Sequence, residues 1–391
     1  MARRIIRGAL LLDAEYTALG IVRSLGRRGI PVAIMTGDHR IAATSRYVRR
    51  RIPWSDTSDA GRVAQLLSLA TEHTWAGWTL FASSDRSARL VAEHHAELSS
   101  YFRLTTAPWD VVRWAYDKRL TYQLCAELGI DAPWTAYPRS LAEAAALDPE
   151  YPVILKPAVK EQYNRFTRAK AWLVRDRGEL LARYADAATL VAAGEIMVQE
   201  VIPGGGEAQF SYCALCDRGE PLAITIARRT RQYPLDFGAG STFVETVECP
   251  EIEEPARRFV EAIGYSGLIE LESKYDHRDG RYKLMDANPR AWAWHSLAQR
   301  AGVDFPYLLW QQAHGESINP ARARVGERWL RGTTDVPAAI AGIRRGSLAP
   351  ATYLRSLRPP LELALLQLDD PVPALLDLPI LAQRLWQRRH R

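Results

Sequence analysis

The most informative stretch of the chain is ELESKYDHRDGRYKLMDANPR, residues 270–290. Two runs of strand-forming residues flank a turn at 278–280, which is typical of a β-hairpin. A three-residue loop whose last residue, a glycine, takes the left-handed conformation pairs Glu272 with Asp286. Because side chains alternate along a strand, Asn288 shares the face of Asp286. Two carboxylates and an amide oxygen are therefore predicted to converge on one patch.

This patch has the chemistry of a divalent-cation site. Like charges held this close repel unless a cation lies between them, and hard oxygen ligands suit Mg²⁺ bound together with the phosphates of a nucleotide. The alternative is an exposed hairpin whose acids pair with the basic residues of the same segment: Lys274, Arg281 and Lys283. Beyond the hairpin the sequence adds a cation and aromatic walls that this alternative does not require: Arg290, Trp292, Trp294 and His295.

The first part of the chain alternates strand-like and helix-like segments. Residues 4–12, 31–35 and 78–82 are apolar runs typical of strands, whereas 17–27 and 86–97 have the spacing of helices. This alternation predicts a parallel sheet covered by helices on both faces. The connection after the first strand lacks the Gly-x-Gly-x-x-Gly spacing of a dinucleotide site, which disfavours a Rossmann dehydrogenase.

Basic residues are unevenly chosen along the chain. Only six of the 51 are lysines, and four of those six fall within residues 118–170. Such a cluster indicates positions that use a compact ammonium group on a flexible stem, and chance on a solvated face is the alternative.

Composition limits the class of protein. The 391 residues are 47% hydrophobic and 25% charged, which predicts a soluble globular protein of two or three domains. No run approaches the roughly 20 apolar residues of a membrane span, and the basic start lacks a secretory core, so we expect a cytoplasmic protein. Four cysteines do not make a disulfide framework. Cys213 and Cys216 lie on one predicted strand and point to opposite faces, as apolar filling.

The positive charge is concentrated at the end of the chain. Residues 321–391 contain 12 arginines and 6 acidic residues, a surplus equal to the net charge of +6 of the whole chain. The remainder is neutral, which argues against nucleic acid as a partner. Arginines 384, 388, 389 and 391 beside Leu385 and Trp386 suit peripheral contact with an anionic membrane or a polymer-linked acceptor, and a solvated cap on the core is the alternative.

Three separated stretches carry a resemblance to a known family. They are Asp117-Lys118 with Ile154–Pro157, then Met197–Gly204, then Glu272–Arg290. Taken in this order they resemble the ATP-grasp superfamily, in particular its D-aspartate-ligase-like, carboxylate–amine ligase branch, over about residues 1–320.

The resemblance implies an α/β fold of four parts. Residues 1–105 would form an N-terminal parallel-sheet domain of the pre-ATP-grasp type. Two α+β subdomains would clasp the nucleotide, with the phosphate lysines in 106–195 and the adenine hinge and metal hairpin in 196–320. A mostly helical, basic extension would follow in 321–391.

The resemblance also implies roles for individual residues in binding ATP and Mg²⁺ or Mn²⁺. The phosphate-contacting lysines would be Lys118, Lys156 and, as a third, Lys170. The adenine hinge would comprise Gln199, Glu200, Val201 and Ile202, with Glu207 as the ribose contact. The metal ligands would be Glu272, Asp286 and Asn288.

An arginine-rich stretch bears on the substrate. Residues 228–231 include three arginines, which can make bidentate bonds with carboxylate or phosphate oxygens. By the resemblance, Arg231 and Arg290 are the expected catalytic residues that bind the substrate or the γ-phosphate. Arg228 and Arg229 are less certain, because a strand would send one of them outward. The flap expected at 158–168 contains no glycine, unlike that of most superfamily members.

The implied activity is that of an ADP-forming ligase. Such an enzyme phosphorylates a small-molecule carboxylate and lets an amine displace the phosphate. Transfer to a hydroxyl or thiol, use of bicarbonate, and a non-catalytic nucleotide-binding scaffold are the alternatives. No side-chain nucleophile is required, so the work of the protein would be positioning and electrostatics.

Overall fold

Three β-sheets form the framework of the protein in the computed structural model. The structure describes residues 7–37, 40–72, 75–159, 164–169, 171–235 and 240–389. The main cleft lies between the first sheet and the third.

The first sheet is parallel and covered by helices, as predicted. Its elements are β1 (Ala9–Leu11), α1 (Tyr16–Arg27), β2 (Val32–Thr36), β3 (Val48–Pro53), α2 (Asp59–Glu72), β4 (Thr79–Phe81), α3 (Asp85–Glu93), α4 (His95–Ser99) and β5 (Arg103–Leu104). The strand order is β3-β2-β1-β4-β5. Leu11 and Ile34 belong to the core on one face, whereas Leu10 and Met35 belong to the core on the other. Burial on both faces explains why these strands are continuously apolar.

Two helices connect the first sheet to the second. The segment 111–128, predicted as one helix, is divided into α5 (Trp109–Tyr116) and α6 (Lys118–Leu128). Asp117 separates them, because its carboxylate accepts a hydrogen bond from the backbone N–H of Arg119 (2.9 Å) and caps α6. Gly129 ends α6 in the left-handed conformation, with φ 63°. Lys118 is thereby held at the first turn of a helix.

The second sheet is small and antiparallel. Its elements are β6 (Thr135–Ala136), α7 (Leu141–Ala146), β7 (Val153–Pro157), α8 (Arg165–Arg168), β8 (Trp172–Val174), α9 (Arg177–Ala188) and β9 (Ile196–Glu200). The strand order is β6-β9-β7-β8. Because β9 pairs with β6 and β7, this sheet extends beyond residue 195. The domain divisions at 105, 195 and 320 remain proposals, and the pairing favours moving the second to the end of β9.

The third sheet has eight strands and carries the hairpin. Its elements are β10 (Gln209–Asp217), β11 (Glu220–Tyr233), β12 (Gly240–Thr246), α10 (Pro250–Ala262), β13 (Gly267–Asp276), β14 (Arg281–Asn288), α11 (Ser296–Arg300), α12 (Phe305–Ala313), β15 (Ala321–Arg322), β16 (Arg328–Leu330), α13 (Gly332–Arg344), α14 (Pro350–Ser356), β17 (Glu362–Leu363) and α15 (Val372–Arg389). The order is β14-β13-β10-β11-β12-β16-β17, with β15 beside β11. Cys213 and Cys216 are buried on opposite faces of β10 and are free thiols, as predicted.

The hairpin of β13 and β14 pairs Glu272 with Asp286, as predicted, but by a different route. The turn has four residues, 277–280, and Gly280 has φ 73°. The register shifts between Glu272 and Ser273, where Met285 is the extra residue on β14. The longer turn and the bulge offset each other, so the two acids still face each other.

The extension after residue 320 is part of the structure that surrounds the cleft. Three of its segments, β15, β16 and β17, join the third sheet, and α13, α14 and α15 account for its predicted helical character. Arg23 on α1 donates to Asp370 (Nε to Oδ2, 2.9 Å), which ties the extension to the first sheet. Within the described ranges, no helix combines the length and apolar character required to cross a membrane.

Candidate functional site

A cleft of about 560 Å³ opens between the first sheet and the third. One wall follows the carboxyl ends of β1 and β4, where parallel sheets commonly bind ligands. The opposite wall is the face of β11, β13 and β14. Charged side chains from both walls and from α6 line it: Glu15, Asp85, Arg86, Arg89, Lys118, Arg229, Glu270, Glu272, Asp286 and Arg290.

The predicted metal ligands meet in this cleft. Glu272 and Asp286 are cross-strand neighbours, and Asn288 lies across from Glu270. The amide nitrogen of Asn288 donates to Glu272 Oε1 (3.1 Å) and to Glu270 Oε2 (3.2 Å). The Asn288 oxygen accepts from Arg290 (3.3 Å). The structure brings the three residues together, and their role as metal ligands remains a proposal.

Glu270 is a member of this cluster that the sequence analysis did not assign. It is only 4% exposed, and its Oε1 has no hydrogen-bond partner among the residues that the structure describes. Burial, and then the charge of Glu272, raise the pKa of Glu270 to about 8. Glu270 and Glu272 are two residues apart on β13, so period-two alternation places them on the same face. This spacing was a signal in the sequence that could have identified Glu270.

Basic side chains neutralise the cluster. Lys118 forms an ion pair with Asp286, and Arg229 donates to Glu272 (Nη2 to Oε2, 2.8 Å). The hairpin's own basic residues point elsewhere: Lys274 donates to the carbonyls of Ile202 and Gly204, Lys283 pairs with Asp276 and Glu200, and Arg281 pairs with Asp131. The alternative in which those residues satisfy Glu272 and Asp286 is therefore wrong.

The donor set suits a hard divalent cation. It offers two facing carboxylates, an amide and the partnerless Oε1 of buried Glu270. Across the described residues, no three His, Cys, Asp or Glu side chains are already grouped to hold a metal ion. Lys118 and Arg229 already form ion pairs with Asp286 and Glu272. A bound cation would therefore replace these ion pairs.

Arg290 joins the two walls of the cleft. It is half-buried and donates to Asp85 at the start of α3 (Nε to Oδ1, 2.5 Å). Burial lowers the pKa of Arg290, but the charges of Asp85, Glu270 and Asp286 outweigh it and the net shift is upward. Arg290 therefore carries a positive charge and lines the cleft, and its role as a ligand of the substrate or the γ-phosphate remains a proposal.

Arg231 lies elsewhere, which corrects its expected place in the site. Its guanidinium donates to both oxygens of buried Asp335 (2.8 and 2.9 Å) and lies over the ring of Phe243 at 4.1 Å. Period-two alternation would put Arg231 on the face of Arg229, but the register of β11 shifts between these residues. Arg229, which the sequence analysis rated less certain, lines the cleft instead.

Two of the expected aromatic wall residues are core residues. Trp292 is fully buried against Phe305, and the Nε2 atom of His295 lies 2.9 Å from the carbonyl oxygen of Thr17. Only Trp294 of the three lines the cleft.

The predicted phosphate lysines come from different elements. Lys118 begins α6, and Lys156 lies on β7, with its Nζ 5.9 Å from the centre of the Tyr122 ring. Lys170 lies outside the described residues, as do residues 160–163 of the expected flap. The part of the flap that is described forms α8, where Arg165 pairs with Asp186.

The predicted adenine hinge spans the end of β9 and the residues after it. Gln199 is buried and donates to Thr135 (2.8 Å), and Glu200 accepts from Arg278 (2.7 Å). Val201 is half-buried and Ile202 is buried. Glu207 is exposed, with its carboxylate accepting from the backbone N–H of Gly205. The hinge therefore lies between the second sheet and the hairpin, and its nucleotide contacts remain a proposal.

Known proteins resemble this chain in sequence or in fold, although no protein-family model matches it. D-aspartate ligase of Enterococcus faecium is 26% identical over 299 residues, covering 72% of this chain and 70% of the relative. The L-amino acid ligase of Bacillus licheniformis superposes with a TM-score of 0.62 at 17% identity, covering 78% of this chain and 74% of that one.

A carboxylase shares the same fold. The biotin carboxylase domain of 2-oxoglutarate carboxylase from Hydrogenobacter thermophilus, solved with MgADP and bicarbonate, superposes with a TM-score of 0.63 at 17% identity. The match covers 82% of this chain and 73% of that one. These similarities confirm the α/β ATP-grasp fold that the sequence predicted.

Proposed function

We propose that this chain, which belongs to the ATP-grasp superfamily, is an ADP-forming ligase that joins a carboxylate to an amine. The observation that carries the proposal is the cleft in which Glu270, Glu272 and Asp286 face Lys118 and Arg290. Its similarity to a D-aspartate ligase and an L-amino acid ligase supports this reaction over the alternatives. We place the reaction in the cytoplasm, where ATP and free amino acids are available.

The acidic cluster would hold Mg²⁺ or Mn²⁺ together with ATP. Glu272, Asp286 and Asn288 are the proposed ligands, and Glu270 offers a further oxygen. When bound, the cation neutralises charge on the phosphates and orients them. Lys118, Lys156 and Lys170 would bind the same phosphates as point charges. Gln199, Glu200, Val201 and Ile202 would contact adenine, with Glu207 at the ribose.

The acid substrate would lie against Arg290. A free carboxylate is a poor electrophile because its charge is delocalised, and phosphorylation converts it to an acyl phosphate with a good leaving group. Arg290 and Arg229 present fixed cations to the oxygens on which charge develops. The amine then attacks the acyl carbon, the carbon–oxygen bond to phosphate breaks, and phosphate leaves. Small-molecule acids and amines fit a cleft of about 560 Å³.

Removal of both facing carboxylates tests the proposal. Glu272→Ala combined with Asp286→Ala should abolish substrate-stimulated ADP release, because Arg229 and Lys118 then lose these carboxylate partners and the proposed metal site loses two of its ligands. ADP would be measured with a coupled assay over a panel of amino acids supplied as acid and as amine. Glu253→Ala is the matched control, since Glu253 pairs with Arg322 outside the cleft.

The outcomes of this experiment distinguish the proposed ligase from the alternative functions. Unchanged ADP release in the double variant would refute the proposed metal site. Release that requires an alcohol, a thiol or bicarbonate instead of an amine would identify another acceptor. Protection of the protein from heat by ATP, with no release under any condition, would favour a nucleotide-binding scaffold.

A further inference from the structure

The C-terminal extension, residues 321–391, exposes apolar side chains to an unusual degree. In the parts of the chain that are described, its leucines are the most exposed large apolar residues: Leu354 (66%), Leu368 (96%), Leu375 (72%) and Leu378 (63%). Single exposed apolar residues are normal, but a concentration of them in one segment marks an interaction site.

Helix α15 is inverted relative to an ordinary surface helix. Its Asp377 is 3% exposed and turned inward, within 3.8 Å of Arg331, whereas Leu375 and Leu378 face outward. The segment before α15 shows the same inversion, because Asp370 is buried whereas Leu366 and Leu368 are exposed. We refer to the exposed residues Leu366, Leu368, Val372, Leu375, Leu376 and Leu378 as the leucine surface.

The charges of the extension are segregated by sign. All six of its acidic residues are engaged with the body of the protein or with other residues of the extension: Glu327 with Arg300, Asp335 with Arg231, Glu362 with Gln367, Asp369 with Arg27, Asp370 with Arg23, and Asp377 with Arg331. These acids therefore add little negative charge to the outer surface.

The arginines of the extension differ from its acids, because several of them are exposed at the surface. Four of them are exposed on and after α13 and α14: Arg344, Arg345, Arg355 and Arg358. The sequence adds four more at the end of the chain: Arg384, Arg388, Arg389 and Arg391. Because the four arginines on and after α13 and α14 are exposed, the described exterior of the extension is basic as well as apolar.

We propose that the leucine surface docks this protein onto an anionic lipid membrane. Leucines enter the boundary between head groups and acyl chains, and the exposed arginines of the extension are attracted to anionic head groups. A second copy of the chain is a poorer partner, because it would bring the same positive charge against this surface. The inference does not depend on the proposed ligase chemistry, since no residue of the leucine surface lines the cleft.

Vesicle co-sedimentation with the full chain tests the proposal. The probes are vesicles of phosphatidylcholine alone and of phosphatidylcholine mixed with phosphatidylglycerol. The test variant carries Leu368→Gln, Leu375→Gln and Leu378→Gln. The control is Leu141→Gln, because Leu141 on α7 is also exposed (47%) but belongs to the second sheet's layer.

We expect the wild-type chain to sediment with the anionic vesicles, and less so as salt is raised. The triple variant should lose at least about tenfold in vesicle affinity while its circular dichroism and melting temperature stay unchanged. The Leu141→Gln variant should bind like the wild type.

Three results would overturn the proposal. They are equal binding by the triple variant, no binding by the wild type, and a wild-type dimer in light scattering that the triple variant reduces to a monomer. The last would identify a second copy as the occupant. Failure of the ligase proposal would appear separately, as absent ADP release in the wild type whether or not it binds vesicles.

Discussion

Arg231 and Arg229 are two residues apart on β11, and we expect their replacement to have opposite consequences. Arg231→Ala should destabilise the fold, whereas Arg229→Ala should impair catalysis. Arg231 and Asp335 are 9% and 0% exposed, and the guanidinium spans both carboxylate oxygens. Arg229 instead contacts Glu272 in the open cleft.

The size of each effect follows from the groups that remain when the arginine side chain is removed. Without Arg231, the carboxylate of the buried Asp335 loses both hydrogen bonds from the guanidinium and keeps that of the Thr242 hydroxyl (2.8 Å). Breaking a buried ion pair from one side costs about 3–5 kcal/mol, which for a large domain lowers the melting temperature by about 10 °C. Loss of Arg229 removes a cation from the reacting centre and should reduce kcat/KM by about 100-fold or more.

The assays are thermal unfolding followed by circular dichroism and substrate-stimulated ADP release. A compensating variant sharpens the test: Arg231→Met with Asp335→Leu replaces the ion pair by apolar groups and should recover most of the stability. It should also retain ADP release, because neither residue lines the cleft. An Arg231→Ala protein of native stability that has lost activity would refute the reasoning and restore Arg231 to the site.

Two further predictions concern a buried acid and the attachment of the extension. The pKa of Glu270 is raised from 4.5 to about 8, so its contribution to stability is present below pH 4.5 and is lost as pH rises to 8. Glu270→Gln should therefore become increasingly more stable than the wild type over this range in metal-free urea titrations; a difference that stays constant with pH would contradict it. Asp370→Ala removes the acceptor of Arg23 Nε and of Ser45 Oγ at a site with 0% exposure, and should cost about 3–5 kcal/mol. Limited proteolysis should then cleave the extension sooner, whereas Asp369→Ala, at an exposed pair, should cost about 1 kcal/mol or less; equal cleavage of the two variants would argue against this attachment.

The extension connects the parts of the molecule that form the cleft. Its strands β16 and β17 belong to the third sheet. Its Asp370 accepts a hydrogen bond from Arg23 on α1, which covers the first sheet. Arg331 lies over the ring of Tyr16 at 4.0 Å, and Tyr16 lines the cleft. The extension therefore contacts the elements that form both walls of the cleft.

Local chemistry in the sequence was sufficient to predict much of the site. Period-two alternation and a glycine turn placed Glu272 across from Asp286, and the alternation of strands with helices predicted the parallel sheet. These features depend on neighbours a few residues apart, so they can be read without knowledge of the tertiary structure. The pairing of Glu272 with Asp286 was predicted correctly although the turn is one residue longer than predicted, because the bulge at Met285 offsets the extra turn residue.

Only the tertiary structure decided which side chains enter the cleft. The register shift on β11 turns Arg231 away from Arg229, and its partner Asp335 lies on α13, far along the chain. Trp292 and His295 belong to the core for the same kind of reason, since α1, α11 and α12 pack around them. A bulge is set by how one strand pairs with its neighbour in the sheet, and burial by the packing of distant helices, so neither follows from the period-two pattern of a single strand.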